Sequence, residues 1–389
     1  MKKILLALLL LFSCSFAVEK LENVGISKYA VLEVNQDRAP IRDNCDEFAN
    51  RLSHLYKDTV LFADKQTKNY YRVELKPNKY AWINKKFVEV QGIIPDKRYQ
   101  GIEKLIFDTQ KHKYQVKIIT PQKSAYTLDE DGDNLKFQLF DNRFDPVEVK
   151  ISNLTKRFKL SNKFEDELNI DFYNDKKLFG YGLEPIDEGY LLNIKRPPKI
   201  NKKKPLRGIK VVVDPGHGGD EYGAQAFGLR EKDINLEISK ILRKELRKRG
   251  ARVYITRKKD KKVPLYDRVD FAKEKKADIL LSIHQNALPN PKDIDKKHGV
   301  GTYYYNNESK ALATTIQNRL LEATGFMDDK VNYRSFALTR PTEQLSVLIE
   351  CGYLIYKPEA DKLINKDFQK LIAKAIVKGC EDCLRENYQ

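Results

Sequence analysis

The stretch that most constrains the fold is Val211-Val-Val-Asp-Pro-Gly-His-Gly-Gly219. Three β-branched residues predict a short buried strand. Asp214 and Pro215 are expected to end it, and Gly216, Gly218 and Gly219 to let the backbone turn tightly around His217. A lone histidine is more often structural than a ligand, but here the pattern repeats. Ala277-Asp-Ile-Leu-Leu-Ser-Ile-His284 is a second apolar run ending on a histidine, and Leu345-Ser-Val-Leu-Ile-Glu350 is a third, ending on a glutamate. Runs this apolar predict strands buried on both faces, as in a mixed, mostly parallel sheet with flanking helices. Ligands of such sheets bind beyond the carboxyl ends of the strands. His217, His284 and Glu350 are therefore expected at one edge. Glu231 is the fourth candidate. It follows Gly228-Leu-Arg230 and opens a helix with Ile234, Ile238, Ile241 and Leu242 on one face, and a carboxylate is electrostatically favoured in a first turn.

Two histidines and one carboxylate are the ligand set of many catalytic zinc sites, which leave a fourth position for water. A second carboxylate beside the metal can take the proton of that water. The residues thus describe a metal-assisted hydrolase, and their spacing leaves open which bond is cut.

Six blocks occur in order: Asp214-Pro-Gly-His-Gly-Gly219, Arg230-Glu-Lys-Asp-Ile-Asn235, Thr256-Arg257, Leu265-Tyr-Asp-Arg268, Ser282-Ile-His-Gln-Asn286 and Leu348-Ile-Glu-Cys-Gly-Tyr353. Together they resemble the zinc-dependent N-acetylmuramoyl-L-alanine amidases of the type 3 family, over about Leu206 to Leu384. The resemblance implies Zn2+ held by His217, Glu231 and His284, with Glu350 as the catalytic acid/base. It implies peptidoglycan as substrate, cut between the lactyl group of N-acetylmuramic acid and L-Ala of the stem peptide. The last block reads E-C-G-Y where many relatives have E-T-G-F, a change that flanks the glutamate without replacing it. Some Gram-negative relatives carry a long insert that plugs the site until an activator removes it. Here about eighteen residues separate His284 from Tyr303, which resembles the short, unplugged form. Whether a protein activator exists stays open. Two other readings stand beside the amidase: a zinc peptidase acting on wall peptides, and an inactive wall-binding protein. The mark of the latter would be loss of a ligand or of the glutamate, and all four are present.

The amino terminus predicts export. Met1-Lys-Lys3 is basic, Ile4 to Phe16 is almost wholly apolar, and Ser15-Phe-Ala17 fits a cleavage site. Residues 1–17 read as a signal peptide, too short to span a bilayer. The expected location is the periplasm, with lipoprotein processing at Cys14 as the alternative. No later segment is apolar enough for a stable membrane span. The net charge of +17 would suggest nucleic acid in a cytosolic protein. Export argues against that partner, and a basic surface would attract the carboxylates of wall peptides, or simply be a lysine-rich solvated face.

Residues 26–90 hold short alternating strands broken by polar turns and read as a small β-barrel. Ala39-Pro-Ile-Arg42, Leu55-Tyr-Lys-Asp-Thr59, Tyr71-Arg-Val73 and Ala81-Trp-Ile83 resemble a bacterial SH3-like domain. Residues 91–198 continue in strands and are expected to form a β-sandwich that targets the wall or serves as a spacer. Residues 199–205 belong to a basic, proline-bearing stretch read as a solvated tether. Residues 206–389 form the α/β catalytic domain, with all-β domains before it. Within it Pro264 is expected to open a helix burying Leu265, Val269 and Ala272. The carboxyl-terminal Cys380-x-x-Cys383 falls at the spacing of a buried helical face, so both thiols are expected in the core. His54, His112 and His298 have no partner motif. Arg340 is a candidate for a peptide carboxylate, or a surface arginine.

Overall fold

The computed structural model describes residues 19–20, 28–97, 100–145, 149–162, 167–174, 176–288 and 294–389. The leader read as a signal peptide, with Cys14, lies outside the described residues. The chain divides into two compact units, one of Met1–Gln110, Tyr114–Asn174 and Leu183–Asn193, the other of Lys111–Lys113, Asp175–Gly182 and Ile194–Gln389.

The first unit is all-β. Its largest sheet runs in the order Arg51–Leu55, Ala39–Arg42, Lys79–Asn84, Tyr70–Lys76, Val60–Gln66, Tyr29–Val34, Val88–Ile94, and Glu19–Lys20 pairs with Val60–Gln66. Side chains alternate along these strands, so that Ala30, Leu32 and Val34 are buried while Tyr29, Val31 and Glu33 are partly exposed. Two further sheets follow. One contains Lys104–Thr109 and Lys113–Ile119, the other Phe158–Ser161 and Glu167–Phe172. Aromatic rings join them: Phe107 lies 5.0 Å from Phe158, and Tyr114 lies 5.3 Å from Phe172.

The second unit is α/β. Its elements are β1 (Lys210–Pro215), α1 (Glu231–Lys248), β2 (Arg252–Ile255), α2 (Leu265–Glu274), β3 (Ile279–Asn286), β4 (Val300–Tyr304), α3 (Asn307–Thr324), β5 (Asp328–Tyr333), β6 (Leu345–Tyr353), α4 (Lys357–Leu363) and α5 (Lys366–Tyr388). The sheet order is β2-β1-β3-β6-β4-β5. Only the β4–β6 pair is antiparallel among these.

Both faces of the sheet are covered, which is why its central strands are continuously apolar. Val211 and Val213 of β1 face the larger core, with Ile238 and Leu242 of α1, Leu312 and Ile316 of α3 and Ile376 of α5. Val212 and Leu280 face the other way, against Ala272 of α2. Helices α3 and α5 approach closely because residue 379 is glycine; a Cβ there would lie 2.6 Å from the Ile316 Cα. Cys380 and Cys383 sit fully buried in this core as free thiols.

Two local expectations are corrected. β1 does not stop at Asp214, because Asp214 and Pro215 stay in register with Ser282 and Ile283. In α2 the buried residues are Arg268 and Ala272, while Leu265 is exposed. The helix turns its arginine inward because a buried carboxylate, Asp214, awaits it. The tether read at residues 199–205 is held at both margins: Ile200 and Leu206 join the core of this unit, while Lys202, Lys203 and Lys204 are exposed.

Candidate metal centre

Beyond the carboxyl end of β1 the chain enters a turn in which His217 itself has a positive φ of 58°, followed by Gly218 at 135° and Gly219 at 62°. A non-glycine residue in the left-handed region persists only where its surroundings fix it. Two buried arginines do so. Arg257 donates from Nε to the Pro215 carbonyl at 3.1 Å and from Nη2 to the Gly216 carbonyl at 2.9 Å. Arg268 donates from Nη2 to the His217 carbonyl at 2.9 Å and from Nη1 to Asp214 Oδ1 at 2.8 Å. Asp214 also accepts from Thr256 Oγ1 at 2.6 Å and Ser282 Oγ at 2.9 Å. Each of the polar residues in the Thr256-Arg257 and Leu265–Arg268 blocks named here thus supports the His217 turn. The sequence blocks contained these residues, but nothing in their pattern assigned the role.

Glu231 opens α1 and is almost wholly buried. Its Oε1 accepts from the Gln285 backbone N–H at 3.1 Å and Asn235 Nδ2 at 3.0 Å, and its Oε2 from the Ala224 N–H at 2.8 Å. His284 Nδ1 lies 2.9 Å from Oε1 and His217 Nε2 lies 3.2 Å from Oε2. Burial alone would raise the Glu231 pKa. The hydrogen bonds and charges of the two imidazoles outweigh it and hold the carboxyl well below the usual range. The imidazole rings stand 5.1 Å apart and nearly perpendicular. One ligand atom from each of His217, Glu231 and His284 lies within 4.8 Å of the others.

Glycine makes room for this convergence. A Cβ on Gly216 would lie 2.3 Å from His284 Cε1, and one on Gly223 would lie 2.3 Å from Glu231 Oε2 and 2.6 Å from His217 Cδ2. Two imidazoles and a buried, ionised carboxylate, packed this tightly, are a donor set that fits zinc.

Glu350 stands on β6 directly across the ladder from His284. Burial, then the charges of Glu231 and Asp329, push its carboxyl well above the ordinary range. Its Oε2 is buried without a hydrogen-bond partner among the described residues. The two carboxylates are therefore driven in opposite directions, Glu231 towards the ion and Glu350 towards the acid.

The structure brings His217, Glu231 and His284 together, places Glu350 across the ladder from His284, and leaves the other histidines elsewhere. His298 pairs through Nδ1 with Glu359 Oε1 at 2.7 Å and stacks on Tyr356 at 4.2 Å. His54 Nε2 lies 2.9 Å from Arg51 Nη1, and His112 is exposed. Arg340 donates from Nη1 to the Ser335 carbonyl at 3.0 Å.

Fold and site together define an α/β domain with a candidate metal centre at the carboxyl edge of its sheet. Residues 211–382 match the family described as N-acetylmuramoyl-L-alanine amidase. The Bacillus subtilis protein YqiI is 34% identical over 188 residues, which are 47% of this chain and 89% of YqiI. The N-acetylmuramoyl-L-alanine amidase LytC of the same organism is 34% identical over 181 residues, 46% of this chain and 36% of LytC. The chain thus spans about a third of LytC. The N-acetylmuramoyl-L-alanine amidase structure from Clostridium difficile 630 is 34% identical, with a TM-score of 0.44, covering 46% of this chain and 98% of that one. The chain belongs to the N-acetylmuramoyl-L-alanine amidase family, through its carboxyl-terminal unit.

Proposed function

We propose that this protein is an exported, zinc-dependent peptidoglycan hydrolase that cuts the amide between N-acetylmuramic acid and L-Ala of the stem peptide. The observation that carries the reading is the convergence of His217, Glu231 and His284 to within 4.8 Å of one another, with Glu350, whose Oε2 has no hydrogen-bond partner among the described residues, across the ladder from His284. These three residues would hold zinc, which supplies a Lewis acid for the amide carbonyl and lowers the pKa of bound water towards about 7. Glu350 accepts a proton from the attacking water and delivers it to the nitrogen of the leaving amine. A raised pKa suits that second task, because the group must hold the proton before giving it up.

The rest of the reading rests on the sequence. The apolar leader supports export to the periplasm, and the all-β amino-terminal unit supports wall attachment through an SH3-like module. The net charge of +17 favours a substrate rich in carboxylates. Digestion of purified peptidoglycan by the zinc-loaded mature chain, with mass analysis of the fragments, tests it. Free stem peptides beginning at L-Ala, beside peptide-free glycan, support the amidase. Shortened peptides with the lactyl–alanine bond intact would instead establish a zinc peptidase. No cleavage by folded, zinc-loaded protein would require a protein activator or a binding role.

A further inference from the structure

The β3–β6 ladder carries a bulge at the site. His284 lies opposite Glu350, but two residues later Asn286 lies opposite Tyr353, so β6 has one residue more than β3 across this interval. Bulges re-aim side chains and are over-represented beside active sites. This one is fastened by a small polar network. Asn286 Nδ2 reaches Tyr353 Oη at 3.0 Å, Tyr303 Oη at 3.4 Å and Asp329 Oδ2 at 3.4 Å. The Tyr353 hydroxyl donates to Asp329 Oδ2 at 2.7 Å.

Asp329 comes from β5, two strands away at the sheet edge. It lies beside Gly301 of β4, the ladder partner of Glu350: a Cβ there would stand in van der Waals contact, 3.4 Å from Asp329 Cβ and Oδ2. Lys297 Nζ stands 3.8 Å from the other carboxylate oxygen. The network therefore spans β3, β4, β5 and β6, and among the described residues Glu350 Oε2 has no hydrogen-bond partner to restrain it. Tyr353 is also where this chain departs from the E-T-G-F pattern of the relatives it resembles, and the departure supplies the hydroxyl that Asp329 accepts from.

We propose that Asp329 is a positioning residue for Glu350: through Tyr353 and Asn286 it locks the bulge that sets the Glu350 carboxylate across from His284. Among the described residues it makes no hydrogen bond to a candidate metal ligand or to Glu350, and the inference rests on the amidase reading above for its kinetic arm only. A displacement of about 1 Å in a reacting group can cost up to about a hundredfold in rate, so loss of one such fastening is expected to be visible in kcat.

The test uses the full mature chain with zinc. D329A is expected to keep one zinc per chain and a KM within about twofold, and to lower kcat about tenfold. D329N is expected to recover most of that loss, because its amide oxygen still accepts from Tyr353. Y353F, the milder variant if D329A folds poorly, should lower kcat, and the D329A/Y353F double variant should be no slower than D329A. Crystal structures of zinc-loaded wild type and Y353F supply a readout independent of activity: the Glu350 carboxylate should shift or occupy two positions in the variant. An unchanged kcat for D329A and Y353F, or an unchanged Glu350 in the crystal, overturns the proposal. D329N as slow as D329A would also overturn it, by making charge rather than position the cause. A wild type that releases no stem peptide refutes the amidase reading instead, and the crystallographic comparison still decides this one.

Discussion

Arg268 and Asp214 form an ion pair buried beneath the His217 turn, Nη1 to Oδ1 at 2.8 Å, with both side chains nearly inaccessible to solvent. The same guanidinium holds the His217 and Pro215 carbonyls, so it links a buried charge to the backbone of a candidate ligand. Removing one partner of such a pair leaves the other charge uncompensated, at a cost of about 3–5 kcal/mol. R268A is therefore expected to lower stability by that order and to weaken zinc binding, whereas R268K, which lacks the planar fork, should lose zinc affinity with less loss of stability. Urea unfolding of the metal-free variants and zinc titration check the two effects separately. Wild-type zinc affinity in R268A would remove the turn-fixing role.

Glu350 gives a second expectation. E350Q should keep zinc and lose hydrolysis by a factor of about 10²–10⁴, since the amide can neither accept the proton of water nor carry it to the leaving nitrogen. Metal content beside the rate of peptide release decides the matter. Full activity in E350Q would show that the proton moves elsewhere.

The same residue predicts how stability of the metal-free protein depends on pH. The folded Glu350 carboxyl sits well above its ordinary value of 4.5, so the folded chain holds that proton more tightly than the unfolded chain does. Its contribution is complete below the unfolded value and is lost as pH rises through the folded one. E350Q cannot ionise, so metal-free E350Q should gain stability relative to wild type as pH rises from about 4.5 towards neutrality. Thermal unfolding of both proteins across that range in chelator should show the two curves diverging. Parallel curves would mean that Glu350 is not desolvated as the structure has it.

How much of this was legible from sequence can be seen residue by residue. His217, His284 and Glu350 were readable because each ends a doubly buried apolar run, and a parallel sheet collects such ends on one edge. Glu231 was readable as the first residue of an amphipathic helix. Arg268 was not, since hydrophobic periodicity registers apolar burial and is blind to a charge drawn inward by another charge; it placed Leu265 inside instead. The bulge between His284 and Asn286 was equally hidden, because a strand buried on both faces has no alternation from which a slip in register could be read. Asp329 follows from that bulge and is likewise visible only in three dimensions.

The glycine cradle supplies the last prediction, on pure sterics. Gly216 lies outside the positive-φ region, so alanine there brings no backbone penalty of the kind expected at Gly218 or Gly223. Its Cβ would nevertheless stand 2.3 Å from His284 Cε1 and 2.4 Å from Nε2, well inside van der Waals contact. The imidazole would have to leave its place against Glu231, and the three-atom donor set would open. G216A is expected to fold, since the displaced ring is partly solvent-exposed at its place, and to bind zinc at least about tenfold more weakly, the scale of losing well-ordered ligand geometry. Competition with a chromophoric chelator measures the affinity, and far-ultraviolet circular dichroism confirms the fold. Wild-type affinity in folded G216A would mean that His284 does not belong to the metal centre, leaving His217 and Glu231 to find another partner.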